Sequence, residues 1–148
     1  MSKFDDIREE IKNILDDNIQ LNNWISTQEQ SVDNQVGEMC KDFLQVLEAF
    51  EWAEDTIHER GLDQSKISTS AIARMLTAKT KLIEVLEGYG VKKVDFENGM
   101  FDASKAKIKG TVVDKEKEDG TVTSIVKDGF YRKDKLLRMA EVFVVKNN

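Results

Sequence analysis

One histidine, His58, and one cysteine, Cys40, are all that the chain offers of the two side chains that most often act as nucleophile, base or metal ligand. A histidine-based metal cluster or a nucleophile–histidine pair cannot be assembled from them within one chain. Cys40 stands beside Met39 and Phe43 at helical spacing, which is the setting of a small buried hydrophobe. The acidic pairs Asp5-Asp6, Glu9-Glu10 and Asp16-Asp17 fall off the apolar stripe of their segment and read as solvated helix charge. A glycine-rich loop able to cradle phosphate is missing, and carboxylate chemistry is the only catalytic class left open. The expectation is therefore a binding protein with no catalytic residue, metal or cofactor of its own.

Composition narrows the partners. In 148 residues there is no proline, 34% of the residues are charged and 40% are hydrophobic, so long uninterrupted helices are favoured over a compact globule. The net charge of -6 argues against a nucleic-acid binder, which needs a clustered basic face. The charge is uneven: residues 1 to 90 carry 9 Lys+Arg against 18 Asp+Glu, and residues 91 to 148 carry 13 against 10. A single cysteine cannot form an internal disulfide, so the chain suits a reducing compartment or is indifferent to it. The N-terminus lacks the apolar stretch of a secretory signal and no run of about 18 apolar residues is present, so a cytoplasmic protein without a membrane partner is expected.

Helical periodicity organises the first ninety residues. Phe4, Ile7, Ile11, Ile14, Asn18, Leu21, Ile25, Gln28 and Val32 alternate in steps of three and four, the seam of a two-stranded coiled coil. The next step, to Val36, is four again, and the seam then resumes through Met39, Phe43, Val46, Phe50, Ala53 and Ile57. Such a stutter locally unwinds a supercoil, so the helix is expected to bend, or to stop and restart, around Ser31 to Asn34. A narrow stripe on so long a helix has nothing in its own chain to cover it, so a second copy must, with Ile7, Ile11, Ile14, Leu21, Ile25, Val32, Phe43, Val46 and Phe50 as the dimer contacts. Asn18 and Gln28 either fix register or are tolerated defects.

Past Val36 the apolar surface widens, as in a bundle of several helices. Gly61 to Ser65 reads as a turn, with Ser68 or Ser70 as the N-cap of a further helix that ends at Gly88 and Gly90. Two helices from each of two chains would form a four-helix bundle. From Val91 the period changes to short valine- and aromatic-rich stretches between glycine turns, the mark of a small β-domain. Asn98-Gly99 signals a hairpin. Ile108 to Val113 and Thr121 to Val126 flank a charged loop and read as a second hairpin, and a last strand runs from Ala140 to Val145. The fold class is α+β: a coiled-coil helix over 1–35, a dimeric helical bundle over 36–90, and a small all-β domain over 91–148.

The segment from Gly129 to Val144, through Phe130, Arg132, Lys135, Arg138, Met139 and Ala140, closely resembles the C-terminal signature of GrpE proteins. Gly99, Met100, Phe101 and Asp102 resemble that family's glycine-then-Phe-Asp element, and the order of helix, bundle and β-domain is similar too. The chain departs from the family pattern at Ala103 to Ile108 and at Met139. The resemblance implies a homodimeric nucleotide exchange factor whose β-domain enters the nucleotide-binding domain of a DnaK-type heat-shock chaperone and levers out ADP. It implies chaperone contact for Lys135, against a solvated charge as the plainer account. Val144 and Met139 would be either contacts or core, and Arg132 and Lys133 either steering charge or solvated loop. Phe101, Asp102, Gly129, Phe130, Arg138 and Ala140 are assigned to structure, with Gly129 serving a turn and Arg138 tying its strand to a neighbouring carboxylate. The other reading open to the sequence is a coiled-coil scaffold whose β-domain binds a partner that is not a chaperone.

Overall fold

A computed structural model describes residues 2–147, with Ile67 described by its backbone. Helix α1 runs unbroken from Lys3 to Glu59 and α2 from Lys66 to Gly88, followed by strands β1 (Val91–Lys93), β2 (Ala106–Val112), β3 (Val122–Lys127), β4 (Phe130–Arg132), β5 (Lys135–Arg138) and β6 (Ala140–Val145). The α+β class and the switch from helix to strand near residue 90 are as the sequence predicts. The chain divides into two compact units, the first ending at Glu38 and the second beginning at Met39.

The first unit is helix alone. Its start is fixed locally: the Asp5 carboxylate accepts hydrogen bonds from the Ser2 hydroxyl (2.8 Å) and amide (3.3 Å), and Asp5 and Asp6 place negative charge at the positive end of the helix dipole. The stutter does not interrupt α1, because an extra step of four shifts the apolar stripe without removing a backbone hydrogen bond. Ile7, Ile11, Ile14, Leu21, Ile25 and Val32 all stay exposed in the single chain.

In the second unit, α1 ends ahead of Gly61, whose left-handed backbone (φ 61°) lets the chain turn into a short 3-10 segment, Leu62–Gln64. The next helix starts earlier than its serines suggest. Ser65, with extended backbone, is the N-cap, and the hydroxyls of Ser68 and Thr69 donate back to the Ser65 carbonyl at 3.0 and 2.8 Å, so Ser68 is already inside the first turn. Cys40, Leu44 and Leu47 of α1, Leu86 of α2, and Val91, Val94 and Phe130 of the β-domain are buried.

The six strands form two three-stranded sheets, in the orders β1-β4-β5 and β2-β6-β3. Here the sequence expectation needs correcting. Strands β2 and β3 do not pair across the charged loop: β6 lies between them, parallel to β2 and antiparallel to β3. The physical reason is burial, since Val142, Val144 and Val145 make β6 the most apolar strand and a central strand has partners on both sides. Asn98 and Gly99 do take positive φ (53° and 70°), yet they shape a 3-10 turn rather than a hairpin, and β1 finds its partner in β4. A second core gathers under β2-β6-β3, where Ala106, Ala140, Val142 and Val144 are covered by Phe96, Phe101 and Val122.

Candidate functional site

Of the residues singled out by the C-terminal signature, Phe130, Arg132, Lys133, Lys135 and Arg138 lie on one supersecondary unit, the β4–β5 hairpin. Sequence reasoning did not resolve it as strands, although Phe130-Tyr131-Arg132 and Lys135-Leu136-Leu137 flank a two-residue break in the manner of a hairpin. Lys133 adopts left-handed backbone (φ 52°), closing the turn with Asp134, and Arg132 faces Lys135 directly across the ladder. Three cations, Arg132, Lys133 and Lys135, therefore share the tip. Arg132 is held in place by its Nε, which donates to the Tyr89 carbonyl at 2.8 Å. Lys133 and Lys135 are exposed, and beside them a hollow of about 480 Å³ is lined by Val94, Tyr131 and Leu136 together with Asp95, Ser104, Lys105, Lys133 and Asp134. A basic tip beside a hollow of mixed polarity suits a protein partner with an acidic, partly apolar surface.

The structure separates the other named residues into two groups. Val144 is only 4% exposed and belongs to the core under β6, which removes it from the surface contacts implied by the resemblance. Its place follows from register: Val144 pairs with Val122 on β3 and Thr111 on β2, on the inward side of the central strand. Met139 is half-buried at the junction of β5 and β6. Phe130 and Ala140 are core, and Phe101 closes the second core from the side. Asp102 accepts hydrogen bonds from the Ser104 hydroxyl (2.6 Å) and amide (2.8 Å), which form a local turn and hold its carboxyl below the usual range. Gly129 lies in the two-residue link between β3 and β4, where it is also closely packed. Its φ is not positive, and a Cβ there would lie 2.5 Å from the Ala140 nitrogen.

Arg138 is the residue that positions the hairpin. Its guanidinium forks onto the Glu51 carboxylate at 2.8 and 3.2 Å, donates through Nε to the Asp128 carbonyl at 2.9 Å, and lies 5.1 Å from the centre of the Phe130 ring. The carboxylate it needed thus comes from α1. Two further acids on the same helix face, Glu48 and Glu54, pair with Lys127 of β3 and Lys79 of α2. The hydrogen bond and charge of Lys127 pull the Glu48 carboxyl below its ordinary value of 4.5. This row of Glu48, Glu51 and Glu54, which fixes β3 and β5 against the helix, went unrecognised in the sequence; its trace there was only a spacing of three.

α1 carries two stripes over this stretch. Cys40, Leu44 and Leu47 turn to the interior of their own chain, and burial pushes the Cys40 thiol up in pKa, with a smaller opposing effect from the Arg132 charge. Phe43 and Val46 remain 45% and 47% exposed and Phe50 is half-buried, so the seam residues form a separate face. Among the described residues no group of three or more His, Cys, Asp or Glu is placed to hold a metal ion, and no helix is long and apolar enough to cross a membrane.

Comparison with known proteins agrees with this layout. The chain is 32% identical over 90 residues to Protein GrpE of Ehrlichia chaffeensis, covering 61% of this chain and 44% of that one. It is 28% identical over 112 residues to Protein GrpE of Francisella tularensis, covering 76% and 55%. With the mitochondrial GrpE protein homolog of Candida glabrata it shares 27% identity over 109 residues, covering 74% and 47%. It spans about half the length of these relatives. The family model for GrpE matches residues 2–146, a stretch that takes in both helices and all six strands, and the chain accordingly belongs to the GrpE family.

Proposed function

We propose that the protein is a homodimeric nucleotide exchange factor for a DnaK-type chaperone, and that its β-domain docks at the chaperone's nucleotide-binding cleft through the β4–β5 hairpin. The observation that carries the reading is the family match across residues 2–146, together with the basic hairpin tip held rigidly by Arg138. Exchange of this kind needs no catalytic group. A factor that binds the open cleft more tightly than the closed one shifts the population by the ratio of the two affinities, and bound ADP leaves from the open form. Rebinding of ATP favours closure and weakens the factor by the same coupling. The seam through Ile7, Ile11, Ile14, Leu21, Ile25, Val32, Phe43, Val46 and Phe50 is the proposed dimer contact, supported by the exposure of these residues, Phe50 excepted, in the single chain.

The test is the release rate of a fluorescent ADP analogue from the cognate ATPase. The unmodified chain is expected to accelerate release at micromolar concentration, and Lys135→Glu to reduce the acceleration about tenfold, the loss of one charge-assisted interface contact. Dimerisation and melting temperature should not change, since Lys135 is exposed at the hairpin tip. A release rate unaffected by the unmodified chain would end the proposal for that ATPase and favour a scaffolding role.

A further inference from the structure

Trp52 is 74% exposed, more than the other tryptophan, Trp24, at 60%. An indole offers a large apolar surface with an electron-rich face, and leaving it in water forgoes the burial that such a ring usually finds. Neither covering already described reaches it. At 3.6 residues per turn, Trp52 points roughly 150° away from the direction shared by Phe43, Val46 and Phe50, so a second copy laid along the seam leaves it bare. It is also displaced around the helix from Cys40, Leu44 and Leu47, which face the β-domain.

The ring borders a groove of about 440 Å³ that is otherwise lined by charged residues and by Ile125 and Val126 of β3, 47% and 48% exposed. The groove is acidic. Its lysines are already matched, Lys127 to Glu48, Lys79 to Glu54 and Lys109 to Glu141. Glu51 is taken by Arg138 and Asp128 by Lys93. Asp55, which lines the same groove one helical turn beyond Trp52, is left with no ion pair among the described residues. An aromatic face, a carboxylate one turn away and two half-exposed aliphatic residues on the same groove are together the chemistry that holds a guanidinium or ammonium group with a hydrophobic neighbour.

We propose that this groove docks a peptide segment of a partner protein that presents an arginine or lysine beside an apolar side chain. The cation lies over Trp52 and pairs with Asp55, and the apolar neighbour packs on Ile125 and Val126. Charge complementarity selects this occupant: an acidic segment would be repelled by Asp55, the lining carboxylate without a matching cation among the described residues, and a purely apolar one would leave Asp55 without a counter-ion.

The experiment uses the full chain, with Trp24→Phe to make Trp52 the sole indole, and two synthetic peptides. One carries an arginine flanked by leucines, and the other carries citrulline in its place, equal in shape but uncharged. Titration at low salt should change the Trp52 emission with the arginine peptide and bind the citrulline peptide about fivefold more weakly, the contribution of one cation over an aromatic ring. In an anisotropy assay with labelled arginine peptide, Trp52→Ala and Asp55→Asn should each lower the affinity about fivefold with the melting curve unchanged. Equal binding of the two peptides, equal binding by the Asp55→Asn chain, or no binding of the arginine peptide up to about 1 mM, the weak limit of specific association, would each overturn the proposal.

Discussion

Arg138 shows how much one side chain can organise. It and Glu51 are only 14% and 20% exposed, so the pair is largely desolvated and each charge depends on the other. Replacing Arg138 with Met keeps the volume but strands the Glu51 carboxylate, and a loss of about 2–4 kcal/mol is expected, read as a lower midpoint in urea unfolding. Arg138→Lys should restore only part of it, because an ammonium cannot fork onto both carboxylate oxygens while also reaching the Asp128 carbonyl. If Arg138→Met melts like the unmodified chain, the hairpin is held by something else. That Arg138 would seek a carboxylate was legible in the sequence. That the acid is Glu51, 87 residues earlier, was not, because nothing in a linear pattern encodes which turn of a helix will face a strand so distant in the chain. Val144 was ambiguous for a related reason: alternation gives two faces to every strand but does not say which is inside until a partner strand is known.

At the scale of elements, the helix–sheet junction of the second unit is built from half-exposed acids as well as from core, and this makes it sensitive to pH. Lys127 lowers the Glu48 pKa in the folded chain. A depressed carboxylate contributes stability that is fully present above its unfolded value and is lost as pH falls through the folded one. The melting temperature of Glu48→Gln should therefore lie below that of the unmodified chain at pH 7, with the gap closing on acidification below about 4.5. Because the Glu48 side chain is 43% exposed, solvent screening keeps the effect small, and differential melting across a pH series is the suitable measurement. A gap that stays constant from neutral to acid pH would show that the pair adds nothing. The turn after α1 and the final strand were readable because Gly61 and the valine run act locally, whereas the start of α2 was not, because Ser68 lies inside its first turn. The place of β6 between β2 and β3 was not, since sequential strands flanking a charged loop look the same whether they pair or make room for a third.

For the molecule as a whole, the two units differ in what holds them folded. The second holds the buried hydrophobic residues, from Cys40 to Val145. Among the described residues the first unit contributes no buried hydrophobic side chain: those from Phe4 at 81% to Ile25 at 41% are exposed in the single chain and Val36 is half-buried. An isolated helix gains little net free energy from its backbone hydrogen bonds, and most helical stability in proteins comes from packing an apolar face. On the proposed dimerisation, the first unit draws its stability from association. Mass action makes such stability depend on concentration, whereas a unit with an internal core melts at a temperature set by the chain alone. Heating followed by far-ultraviolet circular dichroism should show an early loss of helix whose midpoint rises with protein concentration. Val32→Asp, which places a charge on the seam, should lower that early midpoint further while leaving the signal of the β-domain in place. A single transition, independent of concentration and coincident for helix and strand, would mean that the seam is covered from within the chain and that dimerisation is not its purpose.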